Sequence, residues 1–297
     1  MEINLGFDQL FFAFVFVVVI ATTIFTLDDL FIDAIAYLKK LKPRVISQEV
    51  LARMKREPQK NIAIMIANWK EAEVLGPMIR GNIRGLEYTN YTFFLGVYPN
   101  DLATWEEASR LEKLFPHKVV VIVNSQPGPT SKGQMLNEIA RQILESEEKL
   151  GIRYDLFLLQ DSEDVLHPYS LTLMNFYSHE ADFIQIPVFS FDVPKTSLVG
   201  GVYIDEFSES HTKDLLVRQA LGAAIPSAGV GTAMSRELVV GMMLQQEGRF
   251  LKEDTLTEDY HLGIMAKPLG FRSRFACVQI ENEKGDREFV ATREYFP

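Results

Sequence analysis

The chain has 297 residues, of which 47% are hydrophobic, 11% aromatic and 24% charged, and its net charge is -10. This is the make-up of a folded protein rather than a disordered one, and the acidic balance excludes an extended nucleic-acid-binding face. The lone cysteine, Cys277, excludes an intrachain disulfide and a cysteine-cluster metal site, and within "FRSRFACVQI" it reads as core filler.

The first predicted element is Leu10–Leu27, a run of 18 residues without a charge, about the minimum for a spanning helix. Glu2 and Asp8 precede it with no Lys or Arg, unlike the start of a cleaved signal peptide. Lys39, Lys40, Lys42 and Arg44 follow it, so the positive-inside rule predicts that the bulk of the chain faces the cytosol. A buried core helix is the alternative. Phe31, Ala34, Ile35, Leu38 and Leu41 then recur at helical spacing with Lys39 and Lys40 off that face, which predicts an amphipathic helix on the membrane surface or against a partner helix. The expected organisation is a membrane-associated segment at 1–45, a polar, Pro-containing linker at 46–60, and one domain at 61–297.

Within that domain, strand-like runs fall at 61–68, 92–99, 118–124, 155–161 and 182–191. They are short and almost continuously apolar, as strands buried on both faces should be. The clearest helix is Lys132–Leu150, where Met135, Leu136, Ile139, Ala140, Ile143 and Leu144 form one stripe, Ser131 can cap the start and Gly151 follows the end. Alternating strands and helices predict an α/β fold, a mostly parallel sheet flanked by helices. In such sheets ligands bind beyond the carboxyl ends of the strands. "ANWKE", "PND" and "DSED" all sit at such ends.

In "DLFLLQDSED" a buried strand stops at Asp161, Glu163 and Asp164. Carboxylates this close repel one another, and a divalent metal on Asp161 and Glu163 would offset this. A solvated acidic turn with Asp164 capping the next helix is the alternative. Lys132 opens a helix whose dipole disfavours a cation, so it points either to a docked anion or to a plain exposed lysine. In "EDTLTEDYHLG", Thr257 is a good N-cap and the acids around it are ordinary dipole partners. The functional reading is a carboxylate base, which needs only geometry to accept a hydroxyl proton. His261 is either structural, a metal ligand or a base. Gly229 and Gly231 suggest close backbone approach to a ligand, without the Lys-Ser/Thr of a P-loop. There is no Ser-His-Asp triad, cysteine nucleophile, H-E-x-x-H or G-x-G-x-x-G after the first strand.

In order and spacing, these motifs resemble the membrane-bound family 2 glycosyltransferases of the GT-A fold (Rossmann-like) over roughly residues 60 to 275. The runs "FFLGVYPND", "GPTSKGQMLNE" and "DLFLLQDSEDVLHPYSL" are most similar to the bacteriophage adsorption protein B group, inner-membrane enzymes linked to surface-polysaccharide export and phage reception. The resemblance implies a UDP-sugar donor held by Asn68, Glu71, Asn100, Asp101, Lys132 and Asn137. It implies Mn²⁺ or Mg²⁺ on Asp161 and Glu163, and Asp259 as general base supported by Thr257 and Glu258. The acceptor would be a glycan or a lipid-linked glycan, with an outer-membrane export or receptor partner and no nucleic acid. The second acid of the family's D-x-D is here Glu163, a longer side chain. The Q-x-x-R-W motif and later transmembrane helices of processive members are missing, so the C-terminal region reads as truncated. Two rivals stand beside this reading. One is a catalytically degenerate nucleotide- or glycan-binding scaffold. The other is a metal-dependent nucleotidyltransferase, whose Gly-rich basic loop "ANWKEAEVLG" lacks.

Overall fold

A computed structural model describes residues 6–191, 193–194, 196–253, 258–281 and 285–294. It divides into two units, Met1–Lys42 and Pro43–Pro297. The first is one helix, α1 (Phe7–Leu38), whose apolar window has a mean hydropathy of 2.7 and is 0% buried. At 32 residues it is about 48 Å long, enough to cross a bilayer, and the buried-core alternative does not describe it. The stretch expected as a separate surface helix continues α1 without a break as far as Leu38.

The second unit begins with β1 (Arg44–Ile46) and α2 (Gln48–Met54), followed by β2 (Ile62–Ala67), α3 (Ala72–Gly85), β3 (Tyr91–Val97), α4 (Leu102–Leu114) and β4 (Val119–Val123). Then come α5 (Lys132–Leu150), β5 (Leu156–Gln160), β6 (Val165–Leu166), α6 (Ser170–Tyr177), β7 (Phe183–Gln185) and β8 (Val188–Ser190). A run of α7 (Leu198–Glu209), a π-helical turn (Ser210–Asp214) and α8 (Leu215–Ala220) leads to β9 (Thr232–Ser235) and α9 (Arg236–Gln245). The described chain ends with α10 (Glu258–Ala266), β10 (Ser273–Phe275), β11 (Val278–Glu281), β12 (Arg287–Phe289) and β13 (Thr292–Glu294).

The central sheet has the order β10-β7-β9-β5-β2-β3-β4. Its pairs are parallel except that β9 runs antiparallel to both β5 and β7. The chain steps from β2 to β3 to β4 on one side, then returns to place β5 on the other side of β2. That reversal between β2 and β5 is the crevice where open α/β sheets bind ligands. Ile62, Ile64, Phe93, Leu95, Phe157 and Leu158 are fully buried, each worth about 1.5–3 kcal/mol by removal from water. Helix α5 lies close on β3 because position 96 is glycine. A Cβ there would come within 2.6 Å of Met135 Sδ and 2.7 Å of Ile139 Cδ1.

Two further expectations differ from the structure. The segment expected as a linker carries Ile46, Leu51 and Met54 in the core, with β1 parallel to β11. The i, i+3 spacing of Leu51 and Met54 gives α2 an apolar face despite the overall polarity of the segment. The run 182–191 is two strands rather than one, because Pro187, which has no N–H to donate, sits between β7 and β8. Beyond it β8 leaves the central sheet and pairs with β13, which also pairs with β6.

Candidate active site

The sheet ends bring the predicted residues together in different roles. Asn68, directly after β2, is buried; its amide donates to Ile66 O (3.1 Å) and Gly96 O (2.9 Å) and its Oδ1 accepts from Ser162 Oγ at 2.9 Å. Asn68 therefore ties the end of β2 to the acidic turn after β5. Lys70 takes a left-handed backbone conformation (φ 61°), and its N–H donates to Asp101 Oδ2 at 2.6 Å. The other Asp101 oxygen accepts from Thr104 N–H at the start of α4. Asn100 holds the next loop reciprocally: its amide donates to Gly128 O (2.7 Å) and its oxygen accepts from Gly128 N–H (2.6 Å). Trp69 and Tyr98 meet edge to face at 5.3 Å under that loop.

Ser131 caps α5 as its sequence predicts, accepting from Gln134 N–H, and Gly151 ends it in the left-handed region. The helix directs Lys132 to Asp161, with Nζ 2.5 Å from Oδ1. Burial pulls the Lys132 ammonium down, but Asp161, then Asp259 and Asp164, outweigh it and hold it above its ordinary range. Asn137, one and a half turns further on, faces away from this cluster. Its oxygen accepts from Phe250 and Leu251 N–H (3.0 Å each), and its amide donates to Leu251 O and Glu253 Oε1. Asn137 thus clips the segment that precedes "TLTED" in the chain.

The acids form one cluster. Asp164 is 1% exposed, and its Oδ2 has no hydrogen-bond partner. Burial, then Asp161, Glu294 and Glu163, push it up to about 8. The alternative of a solvated helix cap is therefore excluded for Asp164. Glu163 is raised by burial and then by Asp161. Glu71 is raised by burial and then by Glu163, Asp161 and Asp101, so the turns after β2, β3 and β5 share one field. Glu294 on β13 joins them. Burial raises it, Tyr203's hydrogen bond opposes, and Asp161 and Glu163 add to the rise. Tyr203 of α7 donates to Glu294 Oε2 at 2.9 Å. Sequence reasoning did not single out Glu294 or Tyr203, which lie 91 residues apart and carry no local signal of their pairing.

On the other wall, Gly229 (φ 79°) lies against Asp259, where a Cβ would collide with the carboxylate. A buried network shapes that loop: Gln185 accepts from Ala228 N–H (3.0 Å) and Thr232 Oγ1 (2.6 Å), and Ser227 Oγ accepts from Gly229 N–H (3.1 Å). Thr257 lies outside the described residues. Glu258 begins α10, and only its backbone is described. The imidazole of His261 is held below its ordinary range by burial and by Lys252, not drawn up by the acids. Next to the Gly229 loop opens a cavity of about 200 Å³ lined by Phe207, His211, Pro226, Ala228 and Tyr260 among others. Within its lining Phe207 stacks on His211 at 5.6 Å, and Tyr203 lies tilted against Phe207 at 4.4 Å.

The carboxylates after β5 are hard oxygen donors of the kind Mg²⁺ and Mn²⁺ accept. The unpartnered Asp164 Oδ2 and the ammonium already standing against Asp161 both suit a cation at this turn. Among the described residues no three His, Cys, Asp or Glu side chains converge on one point. The protein would therefore supply part of a coordination shell and leave the rest to phosphate oxygens. Cys277 is buried and free, as expected of core filler.

A mixed sheet with its ligand crevice between β2 and β5, lined by acids and by Lys132, is the architecture of an α/β enzyme whose ligand sits at the strand ends. The chain belongs to glycosyltransferase-like family 2, whose model matches residues 58–297. It is 37% identical over 290 residues to bacteriophage adsorption protein B of Escherichia coli K12, an alignment covering 91% of this chain and 38% of the relative. The figures are the same for bacteriophage N4 adsorption protein B of Escherichia coli O157:H7. The chain spans about two fifths of the length of these curated relatives (38%). Among solved structures it resembles the mannosyltransferase PcManGT of Pyrobaculum calidifontis, solved with GDP-Man and Mn²⁺. The TM-score is 0.52 at 14% identity, over 80% of this chain and 64% of that one. It also resembles S. aureus TarS 1-349 solved with UDP, with a TM-score of 0.50 at 10% identity, over 80% and 60% of the two chains. At these identities the likeness establishes the GT-A fold.

Proposed function

We propose that the chain is a membrane-anchored, inverting glycosyltransferase. It takes a UDP-sugar with a divalent metal and extends a glycan or lipid-linked acceptor at the cytoplasmic face of a bacterial inner membrane. One observation carries this reading: Lys132 pairs with Asp161 and also feels Asp259, so carboxylates from two walls of the crevice face a single basic group. Helix α1 and the basic residues that follow it support the anchor and its orientation. The Escherichia coli relatives are named for phage adsorption, and with membership of a glycosyltransferase family this supports a role in making a surface glycan to which phage adsorb.

In this mechanism Asp259 accepts the proton of an acceptor hydroxyl as the oxygen forms its bond to the anomeric carbon. The bond from that carbon to the diphosphate breaks, and the nucleoside diphosphate leaves with inversion. Lys132 meets the developing charge on the diphosphate. When bound at Asp161 and Glu163, Mn²⁺ or Mg²⁺ supplies further positive charge against the same leaving group. Glu71, Asn100 and Asp101 shape the nucleoside side, while Asn68 and Asn137 act by holding the two walls in place. Phe207 and Tyr260, which line the cavity next to the Gly229 loop, offer aromatic surface to a sugar acceptor.

Calorimetric titration of UDP, with and without Mn²⁺, into wild type and Asp161→Ala tests the donor side. Metal-dependent binding that is lost in the variant is the expected result. No binding to folded wild type would overturn the enzyme reading in favour of a scaffold. Asp259→Asn is expected to abolish transfer and spare UDP binding; equal loss of both would remove Asp259 from the role of base.

A further inference from the structure

Lys132 occupies an unusual place. It stands at the first position of α5, where the helix dipole disfavours a cation. Ser131 already satisfies the helix start, so the lysine is not needed as a cap. Its main chain is fixed, because α5 is clamped to β3 at Gly96. Its side chain is 32% exposed and can move on a flexible four-carbon stem. That stem delivers the ammonium to Asp161 Oδ1 at 2.5 Å, on the carboxylate that a metal would need. Gly229, packed on the Asp259 carboxylate, has its Cβ direction 3.7 Å from the same Nζ. The ammonium therefore has a second acidic neighbour within reach when it leaves the first.

We propose that Lys132 is the resident counter-ion of the acidic turn and makes metal loading conditional on a nucleoside diphosphate. The inference rests on the reading of Asp161 as a metal ligand. A divalent cation arriving alone must break the Lys132–Asp161 pair and drive the ammonium toward Asp259, which leaves two like charges close together. A cation arriving with a diphosphate brings the anion that takes the ammonium over, and Asp161 is released. Lys132 thus keeps the turn neutralised between turnovers and couples the two ligands, so that each binds better in the presence of the other.

The test needs neither the sugar nor the acceptor. The full chain in detergent is titrated with Mn²⁺ while the electron paramagnetic resonance signal of free aqueous Mn²⁺ is followed, alone and with UDP or GDP. Wild type is expected to leave Mn²⁺ free until the nucleotide is added. Lys132→Met is expected to bind Mn²⁺ alone at least about tenfold more tightly than wild type, as expected for removing a charge-assisted competitor, and to lose most of the nucleotide's effect. Lys132→Gln provides the same test in a second polar background. Lys132→Arg keeps the charge and should stay closed to Mn²⁺ alone. If wild type binds Mn²⁺ alone as tightly as Lys132→Met, the inference falls and the metal reading stands. If no variant binds Mn²⁺ even with nucleotide, the metal reading falls and takes the inference with it.

Discussion

Gly229 and Asp259 are in such close contact that a single methyl group on the glycine would occupy the space of the carboxylate. The backbone at Gly229 is also left-handed (φ 79°), where a side chain is strained. Gly229→Ala is therefore expected to push Asp259 off its position near Lys132. Transfer should fall by roughly a hundredfold, the cost of about 1 Å of misplacement. UDP affinity should change little, because the donor-side turns are on the opposite wall. Turnover and calorimetry on the same preparation check the split, and a parallel loss of both would show general unfolding of the loop.

Asn137 separates two accounts of the run "KGQMLN" that opens α5. If it contacts nucleotide, Asn137→Ala should lose UDP affinity at unchanged stability. Its four hydrogen bonds all go to residues 250–253, so the expected outcome is the reverse. Stability should fall by about 2–3 kcal/mol from unsatisfied buried backbone groups, with UDP affinity affected only weakly. Chemical denaturation and UDP titration together decide between them.

Acid sensitivity should be traceable to His211 in the π-helical turn. Its ring is buried, Nδ1 lies 3.0 Å from Phe207 O, and burial pushes its pKa down to about 4. Between that value and the unfolded value near 6.5 the unfolded chain binds the extra proton. The contribution is therefore fully present above about pH 6.5 and is lost as pH falls through 4. The full change is on the order of 3 kcal/mol. The difference in stability between wild type and His211→Asn, measured by denaturation at pH 7 and pH 5, should shrink at the lower pH. A pH-independent difference would contradict the assignment.

Tyr203→Phe removes the only described donor to the Glu294 carboxylate while keeping the aromatic stack. A cost of about 1–2 kcal/mol is expected for leaving a part-buried acid without that bond. Restoring the loss with Glu294→Gln in the Tyr203→Phe background would show that the acid, not the ring, is what the hydroxyl serves.

Much of the site was legible because its residues are local to strand ends. Helix α5 runs from Lys132 to Leu150 as its apolar stripe and Ser131 cap indicate. Asp161, Glu163, Lys132 and Asp259 meet because α/β topology gathers the ends of neighbouring strands. Asn68 and Asn137, expected at the donor, spend their side chains on hydrogen bonds within the protein. An asparagine in a motif looks the same whether it faces a ligand or a backbone amide, and only the tertiary fold decides. Glu294 was invisible because the pairing of β13 with β6 and β8 is entirely non-local. The β1–β11 pairing, which absorbs the expected linker, was hidden in the same way.

The position of β13 also sets an order of events during synthesis. Gln160, beside the acidic turn, donates to Thr292, 132 residues later in the chain. At the usual pace of about 5–20 residues per second a ribosome needs on the order of ten seconds to cover that distance. For that interval the nascent chain carries Asp161, Glu163 and Asp164 without the strand that seals them, and β6 and β8 have unpaired edges. Such edges invite pairing with other chains. Expression yield should therefore depend more steeply on the integrity of the last described strand than on surface changes elsewhere, and deletion of β13 should produce aggregate rather than a folded chain with an open site.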